Sequence, residues 1–317
     1  MHARVKFRMG CRLFWRLPER RIPAHSRVLD SVTIEVPATS ANLGPGYDCL
    51  GLALDLHNRV TLTRLDGTPR TEPAHSMVEQ VAALFFDQKE VAEKSFGFSW
   101  SIQGDVPRSR GLGSSVTVRL GVLMGLNELA DCPLGKDRLY QLCSEAEGHP
   151  DNVGPALFGG FVVAGSNTEW IQFPVDEALK VVLLIPDYEV ETAQARAALP
   201  EAVPHGHAAR NTAHACTLVA AFATRQYDRI RDALADYLHQ PYRKPLVHGL
   251  MDIIAAGVKA GALGGYLSGS GSTIACFSTE DKAEAIGEAM RKALEKTGHQ
   301  GRALTTRVDN RGACVIV

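Results

Sequence analysis

Two hydrophobic periods alternate along this chain from Ser31 onward. VTIEV (Val32–Val36) and NRVTLTRL (Asn58–Leu65) switch between apolar and polar at every residue, as strands with one buried face do. Apolar positions three and four apart predict helices at about Met77–Phe86, Lys136–Glu147, Ala208–Ala223, Asp228–Leu238, Val247–Lys259 and Lys282–Lys296. Short apolar runs between them predict strands near Phe96–Ile102, Gly160–Val163, Lys180–Leu184, Gly264–Leu267, Thr273–Phe277 and Ala303–Val308. The mixture is α+β, with antiparallel sheet expected. No repeat or low-complexity linker interrupts it, and a boundary near Pro174 divides the fold into domains at 31–174 and 175–317.

Within this pattern, PRSRGLGSSVTVRLGVLMG (Pro107–Gly125) stands out. Gly111 and Gly113 precede the paired hydroxyls of Ser114 and Ser115, and Val116, Leu120, Leu123 and Met124 then continue at helical spacing. A loop running into a helix start offers unpaired N–H groups and partial positive charge, which attract anions, above all phosphate. The hydroxyls can cap the helix or reach a phosphate-bound cation. No Lys follows the glycines, which excludes the Walker loop, and Val116 stands where a Rossmann fingerprint needs its third glycine. On residues alone, a phosphate loop and an ordinary capped helix after a glycine turn are equally good readings.

Composition narrows the class. A chain of 317 residues can bury a large core, and a formal charge of −1 gives no general attraction to nucleic acid. Seven scattered cysteines without C-x-x-C or His/Cys spacing fit reduced thiols in a cytoplasmic protein. The longest apolar runs, such as Val181–Pro186, are strand-sized, so no membrane partner is expected. Residues 1–30 differ: eight Lys/Arg oppose only Glu19 and Asp30. A disordered tail, a start assigned too far upstream and an Arg-rich transit peptide all fit, the first two better because Ser is scarce. The segment is left out of the fold.

Three further segments carry polar chemistry. PATSANLGPGYDCLGLALDL (Pro37–Leu56) reads as a loop after a strand, and its Asn42 and Asp48 suit a small zwitterion. EAEGHPDNVGPALFGG (Glu145–Gly160) offers Glu147, His149 and Asn152, either as solvated capping or as a carboxylate for Mg²⁺ beside a turn. Arg196 and Arg243 sit on helical segments, where single arginines usually face water; two guanidinium forks around one carboxylate would fix its orientation.

PRSRGLGSS resembles the P-x-x-x-G-L-G-S-S phosphate loop of the GHMP small-molecule kinases. The usual alanines after it are replaced by Val116 and Thr117, and Arg119 follows. PATSANLGPGYD resembles the opening motif of the homoserine kinase branch, with Tyr47 for its Phe, and EGHPDNVGP resembles the E-G-H-P-D-N-V-A-P of the same branch. YLSGSGSTIACF (Tyr266–Phe277) resembles the third family motif, with Ser272 in place of Pro. Together these motifs run from about Ser31 to the end of the chain in the family's order.

What the resemblance implies is a two-domain GHMP kinase fold: an N-terminal ribosomal-protein-S5-like domain and a C-terminal ferredoxin-like domain. It implies phosphorylation of L-homoserine by ATP to O-phospho-L-homoserine, a step of threonine biosynthesis, with a homodimer as the candidate assembly. ATP phosphates fall to Pro107, Arg110, Gly111, Leu112, Gly113, Ser114, Ser115, Val116 and Thr117. Mg²⁺ falls to Glu147 with Ser115. His149 and Asn152 come next to the substrate hydroxyl. Arg196 and Arg243 hold the carboxylate, with Thr192 close by, while Asn42 and Asp48 face the ammonium group. Gly269 and Gly271 fall to packing against the phosphate loop. Many relatives carry an aspartate base at the place of Asn152, and an amide cannot take a proton. Direct in-line transfer, with the proton passing to the phosphoryl group, is therefore expected. The family's adenine-touching Asn has no counterpart between Leu65 and Phe96, where His75 and Ser76 stand at about its place. A GHMP kinase for another small alcohol such as mevalonate, and a non-catalytic nucleotide- or metabolite-binding relative, stay open.

Overall fold

A computed structural model of the chain describes residues 29–66, 70–91, 95–279 and 281–316. The basic segment set apart from the fold lies, through residue 28, outside the described residues.

Two long antiparallel strands begin the fold, β1 (Ser31–Ala41) and β2 (Leu50–Leu65). They pair throughout, with a shift between Pro37 and Ala38, where a proline is tolerated because the ladder is already broken. The stretch read as a loop, 37–56, is thus mostly strand, and only 42–49 turns. Next come β3 (Thr71–Glu72), α1 (Ser76–Phe86), β4 (Gly97–Gly104), α2 (Ser114–Leu129), α3 (Lys136–Glu147), α4 (Val153–Phe158), β5 (Phe161–Ala164) and β6 (Trp170–Phe173). β2 outlasts its partners: its first residues pair with β5 and its later ones with β4. α2 lies directly on this sheet. A Cβ at its Gly121 would come within 2.6 Å of Val60, so glycine is what permits the approach.

The second half contains β7 (Lys180–Pro186), α5 (Thr192–Ala197), α6 (His205–Thr224), α7 (Gln240–Arg243), α8 (Leu250–Lys259), β8 (Gly264–Leu267), β9 (Ile274–Ser278), α9 (Ala283–Glu295) and β10 (Gly301–Thr306). Its sheet runs β10-β7-β9-β8, antiparallel throughout, and the last strand, β11 (Cys314–Val315), returns to pair with β1. The helix expected at Asp228–Leu238 does not form. A 3-10 turn covers Tyr227–Asp232, and the Asp236 carboxylate then accepts from the N–H groups of Leu238, His239 and Gln240. Those bonds stop one helix and start the next, α7.

Three apolar clusters hold the molecule. One lies between the first sheet and α1–α4, with Ile34, Leu62, Leu120 and Tyr140 fully buried. A second lies between the outer face of the second sheet and α8 and α9. The third joins the two halves: Leu52 and Leu54 of β2, Phe161 of β5, Leu183 of β7, Phe222 of α6 and Phe277 of β9 share it. Phe161 and Phe222 stack at 4.2 Å.

Candidate active site

The cleft opens where four connections meet: the turn 42–49, the loop before α2, the turn after α3, and the loop between β8 and β9. Its innermost space is narrow, about 80 Å³.

At one end stands the start of α2. Gly113 is its N-cap, in the left-handed region at φ 68°, and no side chain caps the helix. Of the two roles open to the hydroxyls, capping is not taken: Ser114 and Ser115 are the first helical residues. Ser115 Oγ instead donates to Glu147 Oε1 at 2.7 Å. The first N–H groups of such a helix have no partner within it and carry its positive end. The loop is held from beneath by the β8–β9 connection. Ser268 Oγ donates to Gly111 O at 2.7 Å, and a Cβ on Gly111 would lie 2.1 Å from Ser268 O, with Gly271 at 2.9 Å. Gly269 and Gly271 thus pack against the loop before α2, as the family resemblance implied.

In the middle, His149 Nδ1 lies 2.6 Å from Asp151 Oδ1, and that carboxylate also accepts from Asn152 N. Asp151 is buried, so the imidazole is fixed with Nδ1 toward it and Nε2 free to face elsewhere. Burial pulls the His149 pKa down, but the Asp151 hydrogen bond and the Asp151 and Glu147 charges outweigh it, and the net shift is upward. Asn152 accepts from Thr39 Oγ1 at 2.7 Å, which fixes its amide.

At the far end Arg196 meets Asp48, with Nη2–Oδ1 at 3.1 Å and Nη1–Oδ2 at 3.2 Å, and Nη1 also donates to Tyr47. Arg243 is almost wholly buried; it donates to Ala195 O and Gly269 O and leans over the Tyr47 ring. Burial lowers its pKa from the usual guanidinium range. Thr192 lies 3.4 Å from Ser270.

Family models for the GHMP kinases N terminal domain and the GHMP kinases C terminal region match residues 76–160 and 218–296. The homoserine kinase of Microchaete diplosiphon is 38% identical over 301 residues, covering 90% of this chain and 97% of its own. That of Carboxydothermus hydrogenoformans is 36% identical over 300 residues, covering 90% and 97%. The crystal structure of homoserine kinase from Cytophaga hutchinsonii superposes with a TM-score of 0.83 at 28% identity, covering 92% of this chain and 99% of its own. The chain belongs to the GHMP kinases, in their homoserine kinase branch.

Of the residues the family likeness nominated, Asn42, Asp48, Gly111, Gly113, Ser114, Ser115, Glu147, His149, Asn152, Thr192, Arg196 and Arg243 all line this one cleft, along with Leu112 and Arg110. The side chains of the others are placed differently. Val116 and Thr117 point into the protein: Val116 is core, and Thr117 Oγ1 donates to Ser114 O and accepts from Asn58. Pro107 borders a different, shallower hollow. The Arg110 guanidinium turns to the second sheet, bonding Pro186 O, Asp187 O and Glu189, so it braces the loop. Asn42 spends both ends of its amide on Gly269 O and Asp48 N and therefore shapes the turn that presents Asp48.

Sequence reasoning passed over two features. Asp151, given no role from the sequence, orients His149. A second cavity of about 390 Å³ adjoins Ser114 and Ser115 and is lined by Asn58, His75, Trp100 and Gln103 among others. His75 was the one polar candidate noticed there; Ser76 is not among the lining residues. Trp100 and Asn58 lie on strands, where nothing but pairing across β2 and β4 brings them together.

Proposed function

We propose that the chain transfers the γ-phosphoryl group of ATP to the hydroxyl of L-homoserine, giving O-phospho-L-homoserine for threonine synthesis. One observation carries the reading. An uncapped helix start beside a Ser115–Glu147 oxygen pair shares a narrow cleft with an Arg196–Asp48 pair of the charge pattern that a zwitterion needs. The start of α2 holds the ATP phosphates, and the cavity between Asn58, His75 and Trp100 takes the adenosine, its size within the range of ligand sites.

Ser115 and Glu147 are hard oxygen donors at the phosphate end and suit Mg²⁺, which keeps few carboxylates beside phosphate oxygens. Asp48, His149 and Asp151 also approach one another closely enough for a metal, but each is already paired, and an imidazole suits Mg²⁺ poorly. Bound at Glu147, Mg²⁺ would neutralise charge building on the β- and γ-phosphates.

The α-ammonium and α-carboxylate of homoserine replace the two halves of the Arg196–Asp48 pair, with Arg243 beneath the carboxylate. His149, held by Asp151, and Asn152, held by Thr39, then aim the hydroxyl at phosphorus. Among the described residues no free carboxylate faces that hydroxyl, so its proton passes to the phosphoryl oxygens, and positioning provides most of the acceleration.

Mevalonate kinase shares the fold at a TM-score of 0.67 but only 14% identity. Mevalonate also has no ammonium group for Asp48. ADP release by the purified chain with Mg-ATP decides between acceptors: release with L-homoserine and not with mevalonate, L-serine or no acceptor is expected. Release with mevalonate alone would overturn the substrate, and none at all, with nucleotide still bound, would favour a non-catalytic binder.

A further inference from the structure

Glu147 is taken from two sides. Ser115 donates to its Oε1, and Arg119, one turn further along α2, reaches Oε2 with Nη1. The two side chains are only 16% and 10% exposed, so their charges are poorly screened by water. Among the described residues Arg119 has no other hydrogen bond, and its Nε is enclosed without a partner. This arginine does not brace a loop as Arg110 does, nor cover the surface. Among the described residues its one hydrogen-bond partner is the carboxylate at the phosphate end.

We propose that Arg119 is a positioning residue acting through Glu147. It is a built-in counter-ion that holds the carboxylate in place, and a divalent cation arriving with nucleotide has to displace or share it. Two like charges at one carboxylate repel. Arg119 therefore raises the free divalent-cation concentration that tight nucleotide binding requires, and it stabilises the nucleotide-free protein, where Glu147 would otherwise lack a counter-ion. This rests on the reading of Glu147 as the metal ligand.

The test is calorimetric binding of a non-hydrolysable imido analogue of ATP to the full chain across a series of Mg²⁺ concentrations, with melting temperatures in parallel. Arg119→Met, which keeps the stem's volume, is expected to reach half-saturation at about tenfold lower Mg²⁺, about 1.4 kcal/mol, and to melt earlier without ligand. An unchanged or higher Mg²⁺ requirement overturns the proposal. If Arg119→Met does not fold, Arg119→Gln serves, since it too removes the charge: a lower requirement than the parent supports the proposal, and an equal or higher one overturns it. Glu147→Gln separates the two levels. Where it leaves the Mg²⁺ dependence of binding untouched, Glu147 is not the ligand and the underlying reading fails as well. Where it abolishes that dependence while Arg119→Met changes nothing, only the role of Arg119 falls.

Discussion

Arg196 and Asp48 satisfy each other across the cleft although they are 40% and 33% exposed, so the pair itself adds little stability. Its value is as a preformed template of opposite charges. Replacing Arg196 with Met should raise KM for L-homoserine about 10- to 100-fold, the loss of one bidentate charge-assisted contact. KM for ATP should stay within about twofold of its parent value. Steady-state kinetics with each substrate varied in turn checks this, and an effect on ATP alone would contradict the assignment. Asp151 works one step further back. It is buried and fixes the ring of His149. Asp151→Asn should lower kcat by about tenfold or more, as for supports one bond removed from the reacting group. KM should change little and nucleotide binding not at all; a shift in KM with kcat preserved would instead assign His149 to binding.

At the scale of elements, the loop before α2 is a joint between the two halves, since its backbone rests on the β8–β9 connection. Gly111 sits at φ 69° with Ser268 O 2.1 Å from the place of a Cβ, whereas Gly148 at φ 87° has nothing within 4 Å. Gly148→Ala should therefore cost only the left-handed backbone penalty, about 1–2 kcal/mol. Gly111→Ala should cost more than that and weaken ATP binding as well, because the loop must move. Denaturant melts and nucleotide titration of both variants check the contrast. Elements of this kind also explain how far the sequence could be read. The bounds Lys136–Glu147 were legible because Gly135 and Gly148 flank a clean 3.6-residue pattern. α5, only six residues long, is too short to display a period, and β6 and β11 are short strands whose partners are set by tertiary pairing. In the cleft, residue types and their family roles were visible. What was hidden was direction: that Arg110 braces a loop, that Thr117 turns inward, and that Arg119 meets Glu147 twenty-eight residues away depend on how α2 packs on α3.

Across the whole molecule, the apolar cluster around Phe161, Phe222 and Phe277 makes the junction a core and not a sliding surface, so the two halves should unfold together. The chain's return to the first sheet is locked by a polar contact. His57 of β2 lies 2.7 Å from Asp309, whose other oxygen accepts from the N–H groups of Arg311 and Gly312 just before β11. The Asp309 hydrogen bond is the largest influence on His57 and raises its pKa above 6.5, against an opposing pull from burial. Burial alone would raise Asp309; bonds from His57 and from the two backbone N–H groups prevail and bring it below 3.8. The signs follow from linkage. Stability from a raised histidine is complete below pH 6.5 and is lost as pH climbs through the higher folded value; stability from a lowered aspartate is present above pH 3.8 and is lost as pH falls through its folded value. The pair thus contributes most between those limits. With the histidine mostly shielded, the contribution there should be about 1–2 kcal/mol, as for a partly buried charge-assisted hydrogen bond. His57→Gln should lower the melting temperature by about 2–6 °C near pH 5.5, the shift expected for that loss in a protein of this size or somewhat smaller. Toward pH 9, as the pH climbs past the raised folded value, the difference should shrink. Melting curves of parent and variant at the two pH values decide it: an equal gap at both would mean that His57 contributes by shape and not by charge.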